Sequence, residues 1–139
     1  MNTNQDPSHV MVQPAGWATP KGYANGVLAS GRQLFVGGQI GWNAQCQFDS
    51  DDLVDQVRQA LRNCLAVVET AGGRPEHIVR LTWYVLDKAE YLAALKDVGA
   101  AYRELMGRHY PVMAVLQVSG LVEDAARLEI EATAVIPGD

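Results

Sequence analysis

Two carboxylates near the C-terminal end, Glu129 and Glu131, are the side chains best placed to do chemistry in this chain. They alternate with Leu128, Ile130, Ala132 and Ala134, a period of two that puts both acids on one face of a strand and the apolar residues on the other. A carboxylate held beside a reacting group accepts or delivers a proton, so an acidic face on a core strand is a place for proton transfer. A solvated strand face, or an ion pair with an arginine across a subunit seam, produces the same pattern. Glu129 is therefore the catalytic candidate with that second reading left open, and Glu131 reads mainly as structural. Upstream, the run Gly37-Gly38-Gln39-Ile40-Gly41-Trp42 combines glycines, which let a ligand or another backbone approach main-chain N–H groups, with an aromatic ring that lines a pocket or covers a subunit seam. No helix starts directly after these glycines, so they do not form a phosphate-binding loop. His109 sits where a helix is expected to end and reads as a cap rather than a base. Cys46 and Cys64 have neither disulfide-framework nor metal-ligand spacing.

These residues need elements to hold them. Over Tyr23 to Ala29 and Gln33 to Gly38 two short β-type runs flank Ser30-Gly31-Arg32, which predicts a β-hairpin. Ser50, Asp51 and Asp52 carry N-cap chemistry, and Val54, Val57, Leu61, Leu65 and Val68 recur at helical spacing until Gly72-Gly73 and Pro75 stop the helix. The stretch from His77 to Leu86 is β-branched and aromatic and predicts a central strand. Asp87 and Glu90 resemble a capping box, with Tyr91, Leu95, Val98, Tyr102 and Leu105 as the buried stripe of a second helix ending near Gly107. Two strands complete the chain, the first with apolar residues on both sides, since Met113 and Val115 alternate with Val112, Ala114 and Leu116.

The order is ββαβαββ, an α+β fold with one mixed sheet and two helices packed on one face. The uncovered, partly apolar face predicts self-association. At 139 residues and 48% hydrophobic content the chain suits a single domain over 1–139, with residues 1–20 as a mostly irregular arm anchored by Trp17. A net charge of −5 without any Lys/Arg-rich run argues against a nucleic-acid partner. No apolar stretch approaches the roughly 18 residues of a membrane span, and no leader pattern opens the chain, so a cytoplasmic location without membrane attachment is expected.

The order and spacing of GYANG at Tyr23, GGQIGW, the helix ending in AGG, IVRLTWYVLD and LEIEATAV together resemble the RidA/YjgF family from about Pro20 to Val135. The resemblance implies a chorismate-mutase-like fold and a homotrimer with ligand clefts between subunits. It also implies hydrolysis of reactive enamine or imine metabolites, releasing ammonia, without metal or organic cofactor. Carried over residue by residue, it implies Glu129 as the catalytic acid and Tyr23, Gly38 and Tyr102 as substrate-binding positions. Three positions depart from the family: Met113 stands where its deaminases carry a carboxylate-clamping arginine, Val115 where they carry a small polar residue or cysteine, and Gly99 in place of a helix asparagine. Methionine offers dispersion and only a weak acceptor. The substrate is then expected to be more apolar, or to be held by another cation such as Arg32, Arg80, Arg108 or Arg127. An apolar cleft of Tyr23, Trp42, Met113 and Val115 around Glu129 is the expected pocket. The alternative is a non-catalytic trimer that binds a small metabolite.

Overall fold

The computed structural model describes residues 9–138. Its elements in chain order are β1 (His9–Val12), β2 (Gly26–Ala29), β3 (Arg32–Ile40), α1 (Leu53–Thr70), a single 3-10 turn (Pro75–His77), β4 (Ile78–Val85), α2 (Lys88–Ala93), α3 (Leu95–Met106), β5 (Val112–Gln117) and β6 (Leu128–Ile136). Four strands form a mixed sheet in the order β3-β6-β4-β5, with β4 parallel to β5 and the other pairs antiparallel. The α+β class and the helices on one sheet face agree with the expectation. No described helix is long and apolar enough to cross a membrane.

Helix α1 forms where its caps and stripe agree. The Asp52 carboxylate accepts from the Asp55 N–H at 3.1 Å and Ser50 Oγ donates to Asp55 at 2.8 Å, so donors and acceptors at the helix start are paired within the sequence that makes them. Val57, Ala60, Leu61, Cys64 and Val68 are fully buried against the sheet. Burying a side chain such as Leu61 stabilises the fold by about 1.5–3 kcal/mol. The helix stops at Ala71, followed by Gly72 at φ +88°, which favours glycine. Gln56 is buried with it and makes three bonds, donating to Ser50 O and Ala125 O and accepting from the Arg127 N–H. That side chain ties the start of α1 to the connection leading into β6.

Three expectations are corrected. The hairpin does not form: β3 pairs with β6 along its length, while β2 pairs antiparallel with β1, from His9↔Ala29 to Val12↔Gly26. The turn at 30–31 hands the chain from a two-stranded ribbon to the main sheet, and short-range pattern cannot show that each strand has a better partner far away. The arm is accordingly less irregular than expected, with β1 inside it. Trp17 is 61% exposed and its side chain makes no hydrogen bond among the described residues; Gln13 holds the arm instead, donating to Ala18 O and accepting from Asn25 at 2.8 Å. The second helix is divided at Ala94, with Val98 and Tyr102 buried as expected but Leu95 exposed.

Candidate functional site

Strand β6 is the carrier of the acids, and its alternation is the one read from the sequence. Leu128, Ile130, Ala132 and Ala134 are buried toward the helices, which turns Glu129 and Glu131 to the open face. Register places Glu129 beside Tyr84 and Glu131 beside Thr82 on β4. The Tyr84 hydroxyl donates to Glu131 Oε1 at 2.5 Å. That bond holds the phenol's proton and raises its pKa, with smaller contributions from desolvation and from the charges of Glu131 and Glu129. Tyr84 was not singled out in the sequence. Its signal was its parity, opposite to Trp83 in an alternating strand, and only the β4–β6 register turns that parity into a place beside the acids.

Gly38 meets Glu129 from β3. A Cβ on Gly38 would lie 2.7 Å from Glu129 Cδ, so the carboxylate occupies the space that any other residue's side chain would need. The pairing of β3 with β6 is irregular between Val36 and Gln39, and Gly38 lies in that irregular stretch. The sequence singled out both residues, and the structure brings them together.

Met113 and Tyr102 lie elsewhere. Register sets Met113 opposite Leu81 and Val115 opposite Trp83, both on the helix side of the sheet. Met113 borders a cleft of about 350 Å³ between α3 and the edge of the sheet, walled by Tyr91, Leu95, Val98, Tyr102 and Tyr110. The Tyr102 hydroxyl is spent inside the chain, donating to His109 O at 2.6 Å, and its ring stacks on Tyr110 at 5.5 Å. Burial drives the Tyr102 phenol pKa upward. His109 is structural, its Nε2 donating to Ile78 O at 2.7 Å. Trp83 also borders the cleft, and its indole N–H is buried with no acceptor among the described residues, an arrangement that costs about 1–3 kcal/mol where it persists.

The cleft expected around Glu129 is therefore not assembled within one chain. Glu129 and Met113 flank β4 on opposite faces, three residues apart along it, because β5 and β6 present opposite parities at those positions. Val115 lies on the helix side but outside the cleft wall, and Tyr23 borders a depression beside Arg80 and Thr82 that also reaches Met113. Trp42 belongs to neither group; its ring faces Phe48 at 5.9 Å and its carbonyl accepts from Asn63 at 2.8 Å. Of the expected cations, Arg127 is committed to Glu90 at 3.0 Å and to Asp51 O, and Arg80 lies on the open face. The cations that border the Met113 cleft are Arg103 and Lys21, which the sequence reading passed over. Arg103 had one signal, its position four residues after Gly99 on the same helix face. Cys64 is buried in the core, which pushes its thiol pKa up to about 12. Among the described residues no three His, Cys, Asp or Glu side chains converge in a way that could hold a metal ion.

With this geometry established, three kinds of similarity bear on it. A family model described as endoribonuclease L-PSP matches residues 16–136. The RutC family protein of Pyrococcus horikoshii is 32% identical over 116 residues, covering 83% of this chain and 88% of its own length. The 2-iminobutanoate/2-iminopropanoate deaminase of Escherichia coli is 33% identical over 108 residues, covering 76% and 80%. A solved structure from Yersinia pestis, described as a protein of unknown function of the conserved Rid protein family YyfB, superposes with a TM-score of 0.83 at 29% identity, covering 93% of this chain and 99% of that one. The match spans the strands that carry Gly38, Met113 and Glu129, and the chain belongs to the RidA/YjgF family, the L-PSP family of the matching model.

Proposed function

We propose that the protein is a cofactor-independent hydrolase of a small enamine or imine metabolite, acting as a homotrimer, with Glu129 as its catalytic acid. The observation that carries this is the Glu129 carboxylate lodged over the backbone of Gly38 on the open sheet face. In that position it can take a proton from a water attacking the C=N carbon. The carbinolamine so formed collapses when its nitrogen is protonated and leaves as ammonia, and the hydroxyl proton returns to the solvent or to Glu129. One water is consumed, and a carbonyl compound and ammonia are released. The name of the Escherichia coli relative, an imine deaminase, supports the reaction class.

The trimer is supported by the open face itself, on which Phe35 is 71% and Leu116 47% exposed, far more than isolated apolar residues of a strand interior need be. Association also offers what one chain lacks, since a neighbouring copy can bring its Met113 side against this chain's Glu129 side, with Tyr23 and Trp42 near the seam. In this reading Met113 replaces the family's carboxylate-clamping arginine, so the substrate differs from the usual small 2-imino acids. The same absence of charge at Met113 favours the second reading, a trimer that binds a metabolite without turnover.

The deciding experiment is ammonia release from a panel of imines generated in situ. Glu129→Gln is expected to lower the rate by about 10²-fold or more, the usual scale for a positioned acid or base. Equal rates for the two proteins would remove Glu129 from catalysis, and saturable binding with no release across the panel would establish the silent binder.

A further inference from the structure

Strand β4 leaves a cation on the open face without an acid. Arg80 is exposed there, opposite Thr133 in the β4–β6 register, and its guanidinium makes no ion pair or hydrogen bond among the described residues, whereas Arg58, Arg62, Arg74 and Arg127 all have carboxylate partners. The carboxylate of the same chain that register brings nearest is Glu131, and the Tyr84 hydroxyl holds it at 2.5 Å. Arg80 also borders a recess of about 460 Å³ whose walls include Val27, Phe35, Val79 and Val112 and no Asp or Glu.

The connection from β5 to β6 presents the opposite chemistry. Val122 is 96% exposed at its tip, and Glu123 and Asp124 follow, both exposed and with carboxylates that pair with nothing among the described residues. The tip is braced from below: the Ala126 N–H donates to Glu123 O at 3.0 Å, and buried Gln56 donates to Ala125 O at 3.0 Å and accepts from the Arg127 N–H at 2.8 Å. A braced turn loses little freedom when it is bound, so its projecting side chains are suited to docking. The other described carboxylates that neither pair nor cap, Glu129 aside, are Asp51 just before α1 and Glu69 and Asp97 on the helices, away from the open sheet face.

We infer that the 122–124 tip of one copy seats in the Arg80 recess of a second copy, Val122 against Phe35 and Val27, and the Glu123 and Asp124 carboxylates on the Arg80 guanidinium. A guanidinium on a face that association covers needs a counter-charge, because an unpaired ion taken out of water is strongly destabilising. By taking Glu131, Tyr84 keeps Arg80 open to an acid from outside its own chain. The recess reaches Val112, next to Met113, and the tip leads into β6 just before Glu129, so an approach that sets Met113 of one copy against Glu129 of another also brings recess and tip together. The inference deepens the proposed function by naming the contact that closes its seam, and it rests on that reading for association alone.

Subunit exchange between isotope-labelled and unlabelled full chains, followed by native mass spectrometry, reads the seam without any substrate. Arg80→Glu is expected to speed exchange by about 10-fold or more, since it sets like charges together at every seam, and Glu123→Lys/Asp124→Lys is expected to do the same. Val122→Ser should have a smaller effect. Combining Arg80→Glu with Glu123→Lys and Asp124→Lys exchanges the signs across the seam and is expected to recover most of the parent's slow exchange, a rescue that a misfolded Arg80→Glu chain would not give. A monomeric parent overturns both the contact and the trimer. A trimer whose exchange the reversals leave unchanged, or one that they loosen without rescue in the combined variant, overturns the contact and leaves the trimer standing. Ammonia release plays no part in the readout, so a chain that binds without turnover but shows the rescue would refute the hydrolase reading and keep the contact.

Discussion

The two faces of the four-stranded sheet are built from the same strands and do opposite work. On the helix side Leu81, Trp83, Leu128 and Ile130 are at most 2% exposed and are locked by α1 and α3. On the open side Arg80, Thr82, Tyr84, Glu129 and Glu131 share the surface with Phe35 and Leu116. The helix side is closed by its own chain and its cost of change is local stability. The open side carries the acid, the irregular pairing at Gly38 and exposed apolar side chains, so its cost of change should appear in association and activity.

Substitutions matched across the sheet should break or sharpen that contrast. The largest effect is expected at Leu81, fully buried on the helix side: Leu81→Ala should lower the unfolding free energy by about 2–5 kcal/mol in urea titration. Phe35→Ser on the open side should change the stability of the individual chain by no more than about 0.5 kcal/mol while shifting the mass measured by light scattering toward the monomer. A loss of stability at Phe35 equal to that at Leu81, with unchanged mass, would erase the distinction.

Next in size is Gly38→Ala. The added methyl group must displace the Glu129 carboxylate, so ammonia release should fall by about 10²-fold, as for removal of the acid itself, with the far-ultraviolet circular dichroism retained. Full activity in this variant would mean that the carboxylate works from another position.

The smallest effect concerns pH and, on the helix side, comes from burial. The Cys64 thiol, ordinarily titrating at 9.0, is raised to about 12 by burial, and the Tyr102 phenol is raised from 10.0, also chiefly by burial. The unfolded chain therefore loses these protons first. Their contribution is fully present below pH 9 and is lost as pH rises from there toward the folded-state values. Unfolding free energies measured from pH 8 upward should decline above about 9, and Cys64→Ala should flatten the early part of that decline. A profile unchanged by the substitution would deny the thiol this role.

Much of the helix side was legible in the residues. The cap at Asp52, the stripe through Leu61 and Val68 and the stop at Gly72 are all local, and local chemistry survives folding unchanged. The alternation of β6 was equally legible and correctly sent Glu129 and Leu128 to opposite faces. The hairpin was not, because turn chemistry at Ser30-Gly31 is satisfied whether or not the flanking strands pair, and the choice of β6 over β2 as the partner of β3 depends on residues a hundred positions away. Arg103 escaped notice for a related reason: nothing in its neighbourhood along the chain distinguishes it from a solvated helix arginine until the edge of the sheet is set beside it.

The sequence by itself determined helix α1, the strands of the main sheet, the side of β6 that carries acid, and the family, since periodicity, caps and motif order are properties of residues near one another. Tertiary structure alone decided which acid sits over Gly38, that Tyr84 bonds Glu131, and that Met113 faces away from Glu129 toward Arg103. Those depend on strand register, where a shift of one residue exchanges the two faces of a sheet, and register is chosen by the summed packing of the whole core rather than by any stretch of the chain.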